Sequence, residues 1–151
     1  MDTFPHDFEE AISGLPVSHA WIGHGSALFL EFGSLDQRKR RDGSEGNPSG
    51  ELTLMIEWSW RIEKPRSILG GSWSSERKWL GFLQELIGAK VTGIRVQGVL
   101  PEIEVALSNG LRVASFMTAE GQPSWSLGAR RLGKWLRVKR GKLHVEFSAS
   151  A

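Results

Sequence analysis

Leu52-Thr53-Leu54-Met55-Ile56-Glu57-Trp58-Ser59-Trp60-Arg61-Ile62-Glu63 alternates without interruption: every even position is a large apolar residue, and the odd positions are mostly polar or charged. Period two over twelve residues predicts a β-strand, long enough to bend, with one face in a core and the other mostly solvated. On that parity Trp58 and Trp60 point inward.

Working outward, Pro65 ends the strand and Gly70-Gly71-Ser72 turns the chain toward Ser74-Ser75-Glu76, a helix start with a hydroxyl cap and an acid in the first turn. Trp79, Leu80, Phe82, Leu83, Leu86 and Ile87 then form a broad apolar face closed by Gly88, predicting a central helix that takes Trp79 into the core. Residues 91–97, 102–108 and 111–117 read as three strands, the last two joined through Asn109-Gly110. Residues 134–139 and 142–147 read as a last hairpin around Arg140-Gly141, with Leu143, Val145 and Phe147 on its inner face.

On the other side, residues 33–50 hold four glycines, one proline and mixed charges with no apolar periodicity, which predicts a long mobile loop. Residues 17–33 alternate around a Gly23-His24-Gly25 break and predict a hairpin. Phe4, Phe8 and Ile12, every four residues between Thr3 and Gly14, predict a short N-terminal helix with one apolar stripe. Shifting the chain by 75 residues aligns Trp21 with Val96, Gly23 with Gly98, Leu28 with Ile103, Leu30 with Val105 and Phe32 with Leu107. The expected architecture is a single domain spanning 1–151, α+β and mainly antiparallel. In it two related β-meanders (17–63 and 91–118, the first interrupted by the 33–50 loop) flank the central helix.

Composition narrows the chemistry. With 151 residues the chain can bury a core of its own, and with no cysteine it has neither disulfides nor thiolate chemistry. No apolar run reaches the roughly 18 residues of a membrane span, and the first sixteen residues carry acids but no Lys or Arg, unlike a signal peptide. The expectation is a cytoplasmic protein with no membrane partner. The pI near 9.2 overstates basicity, because without Tyr or Cys little titrates between His and Lys and a net charge of only +2 persists to high pH. The charge is polarised: Arg130, Arg131, Lys134, Arg137, Lys139, Arg140 and Lys142 fall in a stretch without an acid.

No motif commits the chain to catalysis, a metal or a cofactor. His19 and His24, five apart, fall on opposite faces of a strand, and Gly23-His24-Gly25-Ser26 has no nucleophile elbow to serve. The amides of Gly70-Gly71-Ser72-Trp73-Ser74-Ser75 at the helix start offer an anion site, against the simpler reading of a turn and a serine cap. Glu57 with Glu63, and Glu102 with Glu104, read as decoration of a solvated face rather than an acid–base pair. Among seven tryptophans, Trp21, Trp73, Trp125 and Trp135 are unassigned by parity, and core packing competes with a role at an interface for each.

A Gly-punctuated meander, a short helix and a second meander in a small cysteine-free chain resemble uncharacterised bacterial α+β domain families, including some immunity-type proteins that neutralise a toxin. That resemblance implies a bacterial, non-enzymatic protein-binding module, and it assigns no residue. The candidate binding surface is Trp73, Trp125 and Trp135 with Arg130, Arg131, Lys134, Arg137, Lys139 and Arg140, directed at a protein partner or a second copy. Two alternatives stand beside it. One is sequence-nonspecific nucleic-acid binding through the basic hairpin, the other a small-ligand sensor or enzyme with a pocket between helix and sheet.

Overall fold

The computed structural model describes residues 3–148, and among them the chain is α+β, mostly antiparallel sheet with two short helices. Helix α1 (His6–Ile12) is followed by strands β1 (Val17–Ile22), β2 (Leu28–Phe32), β3 (Leu52–Ile56), β4 (Trp60–Glu63) and β5 (Ile68–Gly71). Helix α2 (Trp79–Gln84) then leads to β6 (Val91–Gln97), β7 (Glu102–Leu107), β8 (Arg112–Ser115), β9 (Trp125–Ala129), β10 (Lys134–Lys139) and β11 (Lys142–Phe147). No helix among the described residues is long and apolar enough to cross a membrane.

The strands form two antiparallel sheets, one ordered β1-β2-β3-β9-β10-β11 and the other β5-β4-β8-β7-β6. Alternating apolar residues of both contribute to one hydrophobic cluster, with Leu30, Leu54, Leu127 and Leu136 from the first sheet and Trp60, Ile62, Val105 and Val113 from the second. Phe8 and Ile12 of α1 and Leu83 of α2 complete it, so the apolar stripe of the N-terminal helix is buried as its spacing predicts.

The twelve-residue alternation is not one strand. β3 and β4 lie in different sheets, and the chain crosses between them at Glu57-Trp58-Ser59, where Trp58 adopts a left-handed φ of 65°. Uninterrupted parity is kept on both sides of the crossing, which is why period two alone does not reveal it. A second crossing leads from β8 to β9. At each crossing the tryptophan that opens the new strand ties the two sheets together. The Trp60 indole N–H donates to the Ser26 carbonyl in the β1–β2 turn (2.6 Å), and the Trp125 indole N–H donates to the Pro101 carbonyl in the β6–β7 turn (2.8 Å).

Two further expectations are corrected, for the second helix and for Phe147, and the segment between β2 and β3 shows pairing of its own. The helix predicted to be central is a six-residue α-helix after a 3₁₀ turn, packed against β1 and β5. Of its predicted apolar face, Leu80 (68%) and Ile87 (41%) are exposed, whereas Leu83 and Leu86 are buried. Within residues 33–50, expected as a long mobile loop, the chain pairs with itself in places: Asp36 and Ser49 exchange backbone hydrogen bonds (2.7 and 2.9 Å), and the Gly46 N–H donates to the Arg38 carbonyl (2.7 Å). Phe147, placed on the inner face of the last hairpin, is 76% exposed because β11 is the edge strand and Phe147 sits opposite Lys134.

β5 runs where a turn was expected, and Gly71 makes its pairing feasible. A Cβ there would lie 2.6 Å from the Trp60 carbonyl oxygen, a backbone atom that cannot step aside. Gly71→Ala is therefore expected to destabilise the protein by about 1–3 kcal/mol by prising β5 from β4, measured as a lowered urea midpoint.

Candidate functional site

The crossing from β3 to β4 is held from several directions. The Ser59 N–H donates to the Glu57 carbonyl (2.8 Å), closing a three-residue γ-type turn around Trp58, and the Glu57 N–H donates to the Ser124 carbonyl (3.0 Å). The Ser26 hydroxyl donates to the Trp58 carbonyl (3.1 Å) and the Phe116 N–H to the Ser59 carbonyl (3.1 Å). A bulky residue at positive φ costs on the order of 1–3 kcal/mol and persists only where surrounding contacts impose it. Here they do, and the result is that the Trp58 side chain leaves the core parity: it is 56% exposed.

Trp73 stands beside it, 81% exposed, in a turn as firmly held. The Ser74 N–H donates to the Gly71 carbonyl (3.0 Å), the Gly71 N–H to the Ser74 hydroxyl (3.1 Å), and the Ser72 N–H to the Trp60 carbonyl (2.9 Å). Between the two indoles lies a pocket of about 380 Å³ bordered by Ser59, Met117 and Ala119. A second hollow of about 310 Å³ is bordered by Ile68 and Phe116, with the Arg61 guanidinium 5.3 Å from the Phe116 ring centre. Ser72 and Trp73 border both hollows.

The other candidate residues do not gather there. Trp125 is 2% exposed, in the core with its N–H satisfied, and is thereby removed from any surface. Trp135 is 42% exposed on the outer face of the six-stranded sheet, its ring over Gly128 and bordering a groove of about 460 Å³ with Arg38 and Arg130. The basic segment is divided among internal partners: Arg130 pairs with Asp36 (3.0 Å), Arg131 with Glu51 (2.8 Å), Lys134 with Asp7 (2.7 Å) and Arg137 with Glu146 (3.4 Å). At the hairpin tip Lys139, Arg140 and Lys142 make no ion pair among the described residues. Trp58 is the residue that sequence reasoning misplaced, since nothing local to an unbroken alternation marks a change of sheet.

The carboxylates are engaged structurally. Glu104 receives Arg95 (2.9 Å) and Arg112 (3.3 Å), Glu102 accepts from the Ser115 hydroxyl (2.7 Å) and the Met117 N–H (2.6 Å), and Glu63 holds Arg61 (2.7 Å). Buried Glu31 accepts from the Gly50 N–H (2.9 Å) and the Thr53 hydroxyl. Glu57 accepts from the Ser124 hydroxyl, and His19 meets the Asn47 side chain (2.9 Å). Among the described residues no three His, Asp or Glu side chains are placed to share a metal ion. A groove of about 360 Å³ beside α1 does hold shifted carboxyls, but both are shifted downward. The Lys134 hydrogen bond holds Asp7 below its ordinary 3.8, and the Ser34 N–H, aided by Arg131 and Arg130, holds Glu51 below its ordinary 4.5. Groups so biased stay ionised and are poorly suited to proton transfer near neutrality.

Those two shifts have a signed consequence for stability. A carboxyl whose folded pKa is depressed contributes stability above its unfolded value and loses it as pH falls through the folded one. Stability is therefore expected to decline as pH drops below 4.5 and then 3.8. The decline should be shallower in Asp7→Asn and Glu51→Gln, which is checked by urea unfolding at a series of acidic pH values.

A scan against protein-family models finds no match, and neither do searches of curated proteins and of solved structures.

Proposed function

We propose that this protein is a non-enzymatic binding module whose partner is another protein, held at the Trp58–Trp73 cleft. The observation that carries the reading is Trp58 itself: a large aromatic held at positive φ by three backbone hydrogen bonds and one from the Ser26 hydroxyl, and displayed to solvent beside a second tryptophan that is more exposed still. Backbone strain of this kind clusters at functional sites, and exposed indoles around an apolar depression are the usual anchors of protein recognition. Neutralisation of a toxin, as by immunity-type proteins, is one form such recognition takes. The internal pairing of four cations of the basic segment favours a protein over a nucleic acid, which requires free charge along its track.

The same reading accounts for the position of the cleft. We take the two meanders as related copies, with β1-β2-β3 answering to β6-β7-β8. Each sheet is completed by strands that follow the other copy, β9-β10 in one and β4-β5 in the other. In support, Ser59-Trp60 and Ser124-Trp125 open the equivalent strands, and their indole acceptors, Ser26 and Pro101, stand at the 75-residue offset seen in the sequence. Pro123 then occupies the place of Trp58. The cleft is thus the feature by which one crossing departs from the other.

The test is affinity capture of the tagged protein from lysate of its source organism, with and without nuclease, alongside a Trp58→Ala/Trp73→Ala variant. The expected result is a stoichiometric protein that survives nuclease and is lost with the variant. Recovery of nucleic acid instead, released by nuclease or high salt and indifferent to the tryptophans, would overturn the reading in favour of the basic hairpin.

A further inference from the structure

We infer that the partner is an acidic protein surface, whose carboxylates are received by the tip of the β10–β11 hairpin at the same end of the molecule as the Trp58–Trp73 cleft. The inference rests on the reading of that cleft as a protein-binding site and names the charge of the surface it meets. Lys139, Arg140 and Lys142 are exposed, fall within residues 139–142, and form no ion pair among the described residues, whereas Arg130, Arg131, Lys134 and Arg137 are all paired. Nearby acids do not neutralise them. Glu57 accepts from the Ser124 hydroxyl, Glu146 holds Arg137 (3.4 Å), and Glu120, exposed in the β8–β9 connection, pairs with none of the three.

The crossings place tip and cleft at one end. Ile56, last in β3, lies opposite Trp125, first in β9, so the chain leaves and enters the six-stranded sheet side by side. The Gly141 N–H in the hairpin turn donates to the Gln122 side-chain carbonyl (3.3 Å), and the Glu57 N–H, next to Trp58, donates to the Ser124 carbonyl (3.0 Å). On the pairing of the two meanders taken above, the tip is also the counterpart of Trp73. Gly71 lies opposite Arg61 as Arg137 lies opposite Ser126, so Trp73, two residues past Gly71, answers to Lys139. The crossing end thus presents indoles on one side and free cations on the other.

What borders the cations favours a protein over a nucleic acid as the source of negative charge. A Leu100 methyl lies 3.6 Å from the point where a Cβ on Gly141 would stand, and Val99 and Leu100 are 90% and 54% exposed. Phosphates need free cations along a track, and here the free ones are confined to a single turn beside bare aliphatic side chains. Carboxylates interspersed with apolar side chains match both features, and complementary charge of this kind speeds encounter and suppresses wrong partners.

The test uses three fluorescein-labelled probes of equal length, titrated with the protein and read by anisotropy: a glutamate–leucine decapeptide, a lysine–leucine decapeptide and a single-stranded oligothymidine. The glutamate peptide is expected to bind saturably below about 1 mM at low salt. Its affinity should fall about tenfold or more between about 20 and 200 mM NaCl, and the other two probes should not bind. Lys139→Gln/Lys142→Gln and Arg140→Asn should each weaken binding about fivefold or more. Arg140 and Gly141 both have left-handed φ, 53° and 77°, and asparagine suits the first place of such a turn. Arg140→Asn should therefore keep or raise the urea midpoint, which separates loss of charge from loss of fold. No binding of the glutamate peptide up to about 1 mM, binding indifferent to the tip variants, or equal binding of oligothymidine would overturn the inference. The captured complex separates the two readings. A partner lost with Trp58→Ala/Trp73→Ala but unaffected by Lys139→Gln/Arg140→Asn/Lys142→Gln would overturn the acidic surface and leave the binding module standing. Neither a captured protein nor peptide binding would remove both.

Discussion

Trp60→Ala is expected to lower the free energy of unfolding by about 3–5 kcal/mol, the largest single-residue effect anticipated here. The indole is fully buried, lies 6.2 Å from the Trp79 ring in a tilted arrangement, and bonds to the Ser26 carbonyl at 2.6 Å. Truncation removes that packing, leaves a cavity between the sheets, and strips a partner from a carbonyl in the β1–β2 turn. Because stability in a domain of this size is typically about 5–15 kcal/mol, such a loss is a large share of the whole. Urea unfolding followed by circular dichroism measures it, and Trp60→Phe separates its parts by keeping ring volume while removing the donor, at an expected cost of about 1–2 kcal/mol. A loss below about 1 kcal/mol for Trp60→Ala would mean that the two sheets are not joined through this side chain.

The second large effect falls on binding and largely spares stability. Trp58→Gly is expected to leave stability within about 1 kcal/mol of wild type, because relief of the left-handed strain that an L-residue pays offsets the loss of the part-buried indole and the added chain entropy of glycine. Partner binding should fall by about tenfold or more, since the side chain forms one wall of the cleft. A core residue behaves in the reverse manner, losing stability first. Thermal or urea unfolding together with affinity capture of the partner therefore distinguishes a site from a structural oddity. A Trp58→Gly protein destabilised to the degree of a core truncation would show that the turn serves the fold.

Much of the strand content was legible locally. The β6, β7 and β8 alternations, the Asn109-Gly110 and Arg140-Gly141 turns, and the Phe8/Ile12 stripe of α1 depend on interactions within a few residues, and all lie where their patterns place them. β9 was not legible. Its five residues, Trp125-Ser126-Leu127-Gly128-Ala129, are all buried, yet three are too small to signal a core strand; they are small because the strand runs between β3 and β10 with the Trp135 ring lying over Gly128. The same limit applies to the site. Trp73 was singled out as a turn tryptophan and is the most exposed of the candidates, whereas Trp125, chosen on the same grounds, is in the core, and Trp58, assigned inward, is out.

By itself the sequence determined the periodicity, the hairpin turns, the absence of disulfides and the polarity of charge, since each is a property of neighbouring residues or of composition. Only the tertiary structure decided which sheet each strand joins, which tryptophans reach solvent, and that Lys134 meets Asp7 across nearly the whole chain. The physical reason is that period two specifies a face and not a neighbour. A strand that changes sheets at Trp58 keeps its alternation intact, and exposure depends on what the rest of the chain brings to cover a face.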